Sequence, residues 1–228
     1  MPPTITRTVG LDGAATASGP TVVIDTYRAF STAAYLLDAG VSRLILTDGV
    51  DEARRIAAHH DRALLCGEDQ GRRPDDFDLG NSPTEVIAHG GLAGATVVMR
   101  TTAGTRCVVA AVEAGAGPIY AASLLVARAT AESLGKERTV ALVSSGGSPS
   151  VPHDEDELTG NVIAGTLLER ELEAEAVIAS VLAGAGTKRL RAASWIDDGD
   201  IELCLMVDAF DFALRVNDSN GLVTLSRQ

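Results

Sequence analysis

Between Gly67 and Pro83 the chain sets Glu68, Asp69, Asp75, Asp76 and Asp78 beside Arg72 and Arg73, three glycines and the pair Asn81-Ser82. Carboxylates offer oxygen to a hard divalent cation, while arginines and free backbone N–H groups receive phosphate or carboxylate. Surface loops do not need that mixture; a metal-assisted site for an anionic ligand does. Other chemically able residues follow apolar runs. Asp25 and Arg28 come after Val22-Val23-Ile24, and Thr101-Thr102-Ala103-Gly104-Thr105 after Val97-Val98-Met99. Ser144-Ser145-Gly146-Gly147-Ser148 follows Ala141-Leu142-Val143. Ligands of open α/β sheets bind outside the carboxyl ends of the strands. Parallel strands would therefore gather two carboxylate groups and two hydroxyl-and-glycine turns at one rim.

Each piece also has a plainer reading. Asp25 serves equally well as a helix cap. The Thr101–Thr105 turn is either an ordinary helix entry or, through its amides and hydroxyls, an anion site at a helix N-terminus. Ser144–Ser148 reads first as a flexible turn. Acidic residues in a first helical turn offset the macrodipole, which explains one or two of Asp154-Glu155-Asp156-Glu157; four in succession beside His153 suit a metal ligand as well.

The elements that must position these residues alternate along the chain. Short β-rich runs (22–24, 44–46, 63–66, 96–100, 119–121, 139–143) are separated by helical segments (29–38, 51–60, 106–114, 124–134). Ser82-Pro83-Thr84-Glu85 predicts a helix opened by an N-cap, a first-turn proline and a capping box. A long helical region is predicted from Glu157 to about Leu182, and strands at Ile201–Val207 and Leu222–Leu225. The pattern predicts one α/β domain over residues 1–228, a three-layer α/β/α arrangement with a mixed, largely parallel sheet. Residues 1–18, rich in Thr, Gly and Ala, read as a weakly ordered or edge segment.

At 228 residues with 46% hydrophobic but only 4% aromatic content, the core must be built from Ala, Val and Leu. The net charge of −12 argues against nucleic acid or an anionic membrane as partner. An anion must then be met by a local basic patch or a metal. No apolar run reaches the ~18 residues of a membrane span, and Cys66, Cys107 and Cys204 are sparse and odd in number. A cytoplasmic protein is expected. The Ala-rich helices suit a homo-oligomer interface and an ordinary core equally.

Four familiar motifs fail. Cys66–Arg72 fits C-x₅-R, but Glu68 and Asp69 inside that loop would repel a phosphate dianion and raise the thiol pKa. Val22–Tyr27 has the strand and Asp of a haloacid-dehalogenase-type phosphatase, with Tyr27 where its second Asp belongs. Neither the dinucleotide-binding glycine fingerprint nor a phosphate-loop Gly-Lys-Ser/Thr is present.

Asp25-Thr26-Tyr27-Arg28-Ala29-Phe30-Ser31-Thr32, Gly67-Glu68 with Phe77-Asp78-Leu79-Gly80-Asn81-Ser82-Pro83, Thr101–Arg106, Glu155-Asp156 with Gly160, and Gly199–Cys204 occur in one order. In that order they resemble the 2-phosphosulfolactate phosphatase family. The resemblance implies a Mg²⁺-dependent hydrolase that converts 2-phosphosulfolactate to sulfolactate and phosphate, a step towards coenzyme M. The family also occurs where coenzyme M has no evident use, so the substrate stays open. Carried onto this chain, the resemblance implies Mg²⁺ on Glu68 and on Asp25, Glu155 or Asp156. It implies Arg28 and Arg106 on the substrate's anionic groups, with Asn81, Ser82, Thr101, Thr102, Gly104 and Thr105 as neutral contacts. Asp25, Arg28 and Glu68 are the expected catalytic residues. The chain departs from the family at Ala103, where an Asn is usual, at Tyr27, and at Val151-Pro152-His153-Asp154. Two alternatives remain: a non-catalytic anion-binding or regulatory homologue, and a haloacid-type phosphatase with Asp25 as nucleophile.

Overall fold

The computed structural model describes residues 2–135, 137–146, 153–170, 172–219 and 221–228. Its elements run β1 (Thr4–Val9), α1 (Gly10–Ala15), β2 (Thr21–Ile24), α2 (Ala29–Asp38), β3 (Arg43–Thr47), α3 (Val50–Ala58) and β4 (Leu64–Gly67). Next come β5 (Leu79–Gly80), α4 (Pro83–His89), β6 (Thr96–Arg100), α5 (Gly104–Glu113), β7 (Ile119–Ala122), a 3-10 turn (Leu124–Val126) and α6 (Ala127–Leu134). The chain ends with β8 (Thr139–Ser144), α7 (Asp154–Leu167), α8 (Ala174–Ala183), α9 (Ala185–Ala192), α10 (Asp198–Cys204), β9 (Leu214–Ser219) and β10 (Leu222–Arg227).

The fold is a three-layer α/β/α arrangement on one ten-stranded sheet in the order β1-β8-β2-β7-β9-β10-β3-β6-β4-β5. The blocks β1-β8-β2-β7 and β3-β6-β4-β5 are each internally parallel. The hairpin β9-β10 joins them through antiparallel pairings, so the two blocks run in opposite directions. The expected single parallel rim is therefore corrected. In a flat sheet the carboxyl ends of β2 and β6 would lie at opposite edges. From β2 to β6 the order passes β7, β9, β10 and β3, and a twist of roughly 20–25° per step turns one block by about 100° against the other. The curled sheet thereby folds both sets of carboxyl ends toward one region, where Asp25 meets Gly104.

Alternation within strands divides the core. Leu44, Leu46, Val97 and Met99 join the main cluster, while Ile45 and Val98 point the other way, into a small cluster with Ala53 of α3 and Phe77. Among the described residues no helix is long and apolar enough to cross a membrane.

Three local expectations need correction. Ile201–Val207 is not a strand: Asp197 caps α10 by accepting from Gly199 N at 2.8 Å, and the helix buries Ile201 and Cys204. With buried Leu205 these repeat at i, i+3 and i+4, a helical spacing that the alternation of Ile201, Leu203, Leu205 and Val207 masks. The helical region after Glu157 is broken at residues 168–173. Arg170 N donates to Gly165 O at 2.7 Å and Glu169 N to Thr166 O at 3.1 Å, a Schellman ending. Its left-handed position is Glu169, φ 55°, so no glycine announces it. In the capping box of α4, Ser82 Oγ accepts from Glu85 N, but Glu85 Oε2 accepts from Gly80 N at 2.7 Å instead of returning to residue 82. Of the two readings of the start of the chain, the edge segment is the one found: β1 lies at the sheet edge, paired along its length with β8.

Candidate active site

Strand register explains which residues meet. Ile24 lies level with Ser144, so Asp25 and Ser145 leave β2 and β8 side by side. Gly67 lies level with Arg100, which does the same for Glu68 and Thr101. Asp25 is buried at the start of α2. Its Oδ1 accepts from Ala29 N at 3.1 Å and its Oδ2 from Ser145 Oγ at 3.0 Å. Burial raises its carboxyl above the usual range against those hydrogen bonds; Glu68 adds to the rise and His153 opposes it.

The N-terminus of α5 abuts this carboxylate. A Cβ at Gly104 would lie 2.7 Å from Asp25 Oδ2 and 2.8 Å from Ala29 Cβ, so glycine is required for the approach. Thr101 and Thr105 close the turn on themselves: Thr101 N donates to Thr105 Oγ1 at 2.8 Å and Thr105 N to Thr101 Oγ1 at 3.1 Å. The amides of Ala103 and Gly104 belong to the first-turn donors that a helix cannot satisfy internally. Arg106, half-buried one turn further on, forms no ion pair with a described residue. Two first-turn amides, with Arg106 close behind them, are donors that an anion at this helix N-terminus could accept from.

Glu68 organises that turn. Its Oε1 accepts from Thr102 N at 2.5 Å, and its Oε2 from Gly71 N at 2.6 Å and Thr102 Oγ1 at 2.8 Å. Three of about four carboxylate lone-pair directions are thus occupied. Glu68 is held as a clamp, with little left for a metal.

The acidic run of α7 divides its labour. Asp154 caps α9, accepting from Ala185 N at 2.7 Å and Gly186 N at 3.1 Å. Glu155, buried, turns Oε1 to Arg189 at 3.3 Å and His153 at 3.4 Å, while its buried Oε2 has no described partner. Asp156 faces the centre: Oδ1 accepts from Thr26 N at 2.8 Å and Oδ2 from Gly146 N at 3.3 Å. Burial, then the charges of Asp25 and Glu155, hold Asp156 well above the ordinary carboxylate range. Thr26 and Thr159 fasten α7 to β2 through a 2.7 Å hydroxyl contact. Of the Ser144–Ser148 turn, Gly147 and Ser148 lie outside the described residues, as do Val151 and Pro152.

Arg28 and Ser82 come together beside this centre rather than in it. Arg28 Nη1 pairs with Asp200 Oδ2 at 2.6 Å, and Asp200 Oδ1 accepts from Ser82 Oγ at 2.7 Å and Thr84 N at 3.0 Å. Arg28, Ser82, Thr84, Trp195 and Asp200 line a cleft of about 580 Å³. Asn81 is buried with an Oδ1 that has no described partner. The sequence reading gave no role to Asp200, wholly buried, or to Trp195; the motif Gly199–Cys204 marked the first without saying what it touches.

Among the described residues no three His, Cys, Asp or Glu side chains are grouped to hold one metal ion. Mg²⁺ does not require such a cage, since one or two carboxylates with water and substrate oxygens suffice. Asp25 and Asp156 suit that demand: two buried carboxylates, one raising the other, are relieved by a divalent charge.

An α/β protein with an anion seat at a helix N-terminus and paired carboxylates beside it is the class this geometry defines. Residues 10–218 match the family described as 2-phosphosulpholactate phosphatase, and the chain belongs to that family. It is similar to proteins named "Probable 2-phosphosulfolactate phosphatase". That of Thermus thermophilus is 41% identical over 48% of this chain and 45% of its own length. For that of Thermotoga petrophila the figures are 34%, 62% and 60%. That of Carboxydothermus hydrogenoformans is 31% identical over 83% of both chains. The first two matches thus span less than two thirds of either relative.

Proposed function

We propose that this chain is a Mg²⁺-dependent phosphatase for the phosphomonoester of a small anionic organic acid. The substrate is 2-phosphosulfolactate, and the products are sulfolactate and phosphate. The observation that carries this reading is the abutment of Asp25 on the amide-rich start of α5. The relatives' names support the substrate, and the sparse, buried thiols suit a cytoplasmic setting.

In this reading the amides of Ala103 and Gly104 and the Arg106 guanidinium receive phosphoryl oxygens. Arg28, fixed by Asp200, presents its remaining donors to the acid group of the substrate. Asp25, placed beside that turn at the exit of β2, takes a proton from the attacking water. The new O–P bond forms as the ester O–P bond breaks, and the proton taken up by Asp25 is returned, through solvent water, to the leaving oxygen. Mg²⁺ held by Asp25 and Asp156 would offset phosphoryl charge and ease deprotonation of the attacking water. Phosphoryl transfer rests mainly on positioning and electrostatics, so no strong nucleophile is needed.

A second reading, a non-catalytic anion binder, is favoured by one observation: Ala103 supplies no side-chain donor to the turn. Phosphate release from 2-phosphosulfolactate and related phosphorylated hydroxy acids, with Mg²⁺ or EDTA, decides between them. Metal-dependent turnover supports the hydrolase; tight ligand binding without product supports the binder.

A further inference from the structure

Trp195 is the single tryptophan of the chain, 49% exposed on the segment between α9 and α10. It walls the cleft with Arg28, Ser82 and Asp200. Its indole Nε1–H donates to Gly71 O at 2.9 Å, and the Arg72 guanidinium carbon lies 3.7 Å from its ring centroid. Gly71 N then donates to Glu68, which grips the amide and hydroxyl of Thr102. Gln70 N donates to the same hydroxyl at 2.9 Å. An unbroken run of contacts therefore joins the cleft wall to the turn that faces Asp25.

The loop carrying Gly71 is ordered by polar contacts on an exposed surface. Asp69, Gln70, Arg72 and Arg73 are exposed, and Gln70 and Gly71 both adopt left-handed backbone, φ 53° and 82°. Its fixed points are polar: the Asp69–Arg72 backbone pair at 2.8 and 3.1 Å, Asp69 on Arg100 at 2.7 Å, Arg73 on Glu85 at 3.1 Å, the Thr102 links, and Trp195. Polar contacts rather than burial hold this loop, and among them the Trp195 hydrogen bond ties Gly71 to the cleft wall.

Resting on the phosphatase reading, we propose that Trp195 is a positioning residue: through Gly71 and Glu68 it sets the turn that receives phosphate, and the latch tightens when an anion is bound there. Occupation of the Ala103 and Gly104 amides fixes Thr102, which fixes Glu68 and Gly71, and so the partner of the indole N–H. The coupling is reciprocal, because a ligand that favours the ordered loop is bound better by a protein whose loop is already ordered.

The single tryptophan makes the test direct. Inorganic phosphate titrated into the whole protein with Mg²⁺ is expected to change the Trp195 emission saturably, at the midpoint given by calorimetry. Trp195→Phe keeps a six-membered ring for Arg72 and loses the N–H together with the second ring of the indole. It is expected to weaken calorimetric phosphate binding about fivefold, the worth of one hydrogen bond, with an unchanged thermal midpoint. Arg72→Ala, which retains the fluorophore, should show a red-shifted emission that phosphate partly restores. Emission indifferent to phosphate, or Trp195→Phe binding phosphate as tightly as the parent, overturns the proposal. A responsive indole in a protein that hydrolyses no ester keeps the latch and removes the phosphatase reading; steady turnover with a silent indole does the reverse.

Discussion

Gly104, the first residue of α5, and Asp25, at the exit of β2, follow strands of opposite direction and approach so closely that a Cβ on Gly104 would sit 2.7 Å from Asp25 Oδ2. The same atom would lie 2.8 Å from Ala29 Cβ, part of the neighbouring helix start. Gly104→Ala must push α5 away from α2. Overpacking of this kind costs about 1–3 kcal/mol, and the seat opens at the same time. We expect a fall of several degrees in thermal midpoint and phosphate release reduced at least about 100-fold, since a displacement of about 1 Å is enough for that. A variant as active as the parent would show that this approach is not used.

Asp200 and Arg28 form a buried pair that also holds Ser82 and Thr84. Removing one member of such a pair strands the other, at about 3–5 kcal/mol. Asp200→Ala should lose about that much stability by denaturant unfolding. Asp200→Asn, which can still accept from Ser82, should lose less. The double variant with Arg28→Ala should be less damaged than the sum of the singles.

Asp25 and Asp156 both have carboxyls raised on folding, chiefly by burial. The sign follows from proton affinity: the folded state binds these protons more tightly than the unfolded state. Their contribution to stability is complete below the unfolded value of 3.8 and is lost as pH rises through the raised folded values. In EDTA, Asp156→Asn should therefore gain stability over the parent at neutral pH, and the gain should vanish toward about pH 4. Thermal melts across that window check it, and equal midpoints at neutral pH contradict it.

Ala103 stands where family members usually carry Asn. Ala103→Asn adds one donor to the anion turn, and one hydrogen bond to a charged group is worth about 1.5–3 kcal/mol. Turnover of 2-phosphosulfolactate should rise about tenfold or more in kcat/KM. No gain would indicate a different native substrate or a turn shaped without that side chain.

The sequence reading located the layers and most strands because alternation of short apolar runs with capped helices is a local signal. It placed Asp25, Ser145 and the Thr101–Thr105 turn at strand exits, and register did bring Asp25 and Ser145 together. Strand direction was not legible. The reversal of β3-β6-β4-β5 depends on the β9-β10 hairpin far along the chain, although Asn220-Gly221 is a hairpin signal that went unused. The break after α7 was hidden because Glu169 takes a position where glycine is usual. The acidic run reads equally as residues offsetting a helix dipole and as a metal ligand, and only the fold shows Asp154 capping α9 while Asp156 turns to Thr26. Glu68 was identified by type but not by task, since its partners Thr102 and Gly71 depend on the register of β4 with β6.

The central claim is that Asp25 and Asp156 serve one metal-dependent centre beside the α5 turn. Its most direct test is phosphate release from 2-phosphosulfolactate as a function of Mg²⁺ for the parent, Asp25→Asn and Asp156→Asn. We predict saturable activation by Mg²⁺ in the parent and abolition by EDTA. Loss of about 100-fold or more is expected in Asp25→Asn, as for removal of a general base, and a higher Mg²⁺ requirement in Asp156→Asn. Release that ignores EDTA, or an Asp25→Asn protein with parental turnover, would contradict the account.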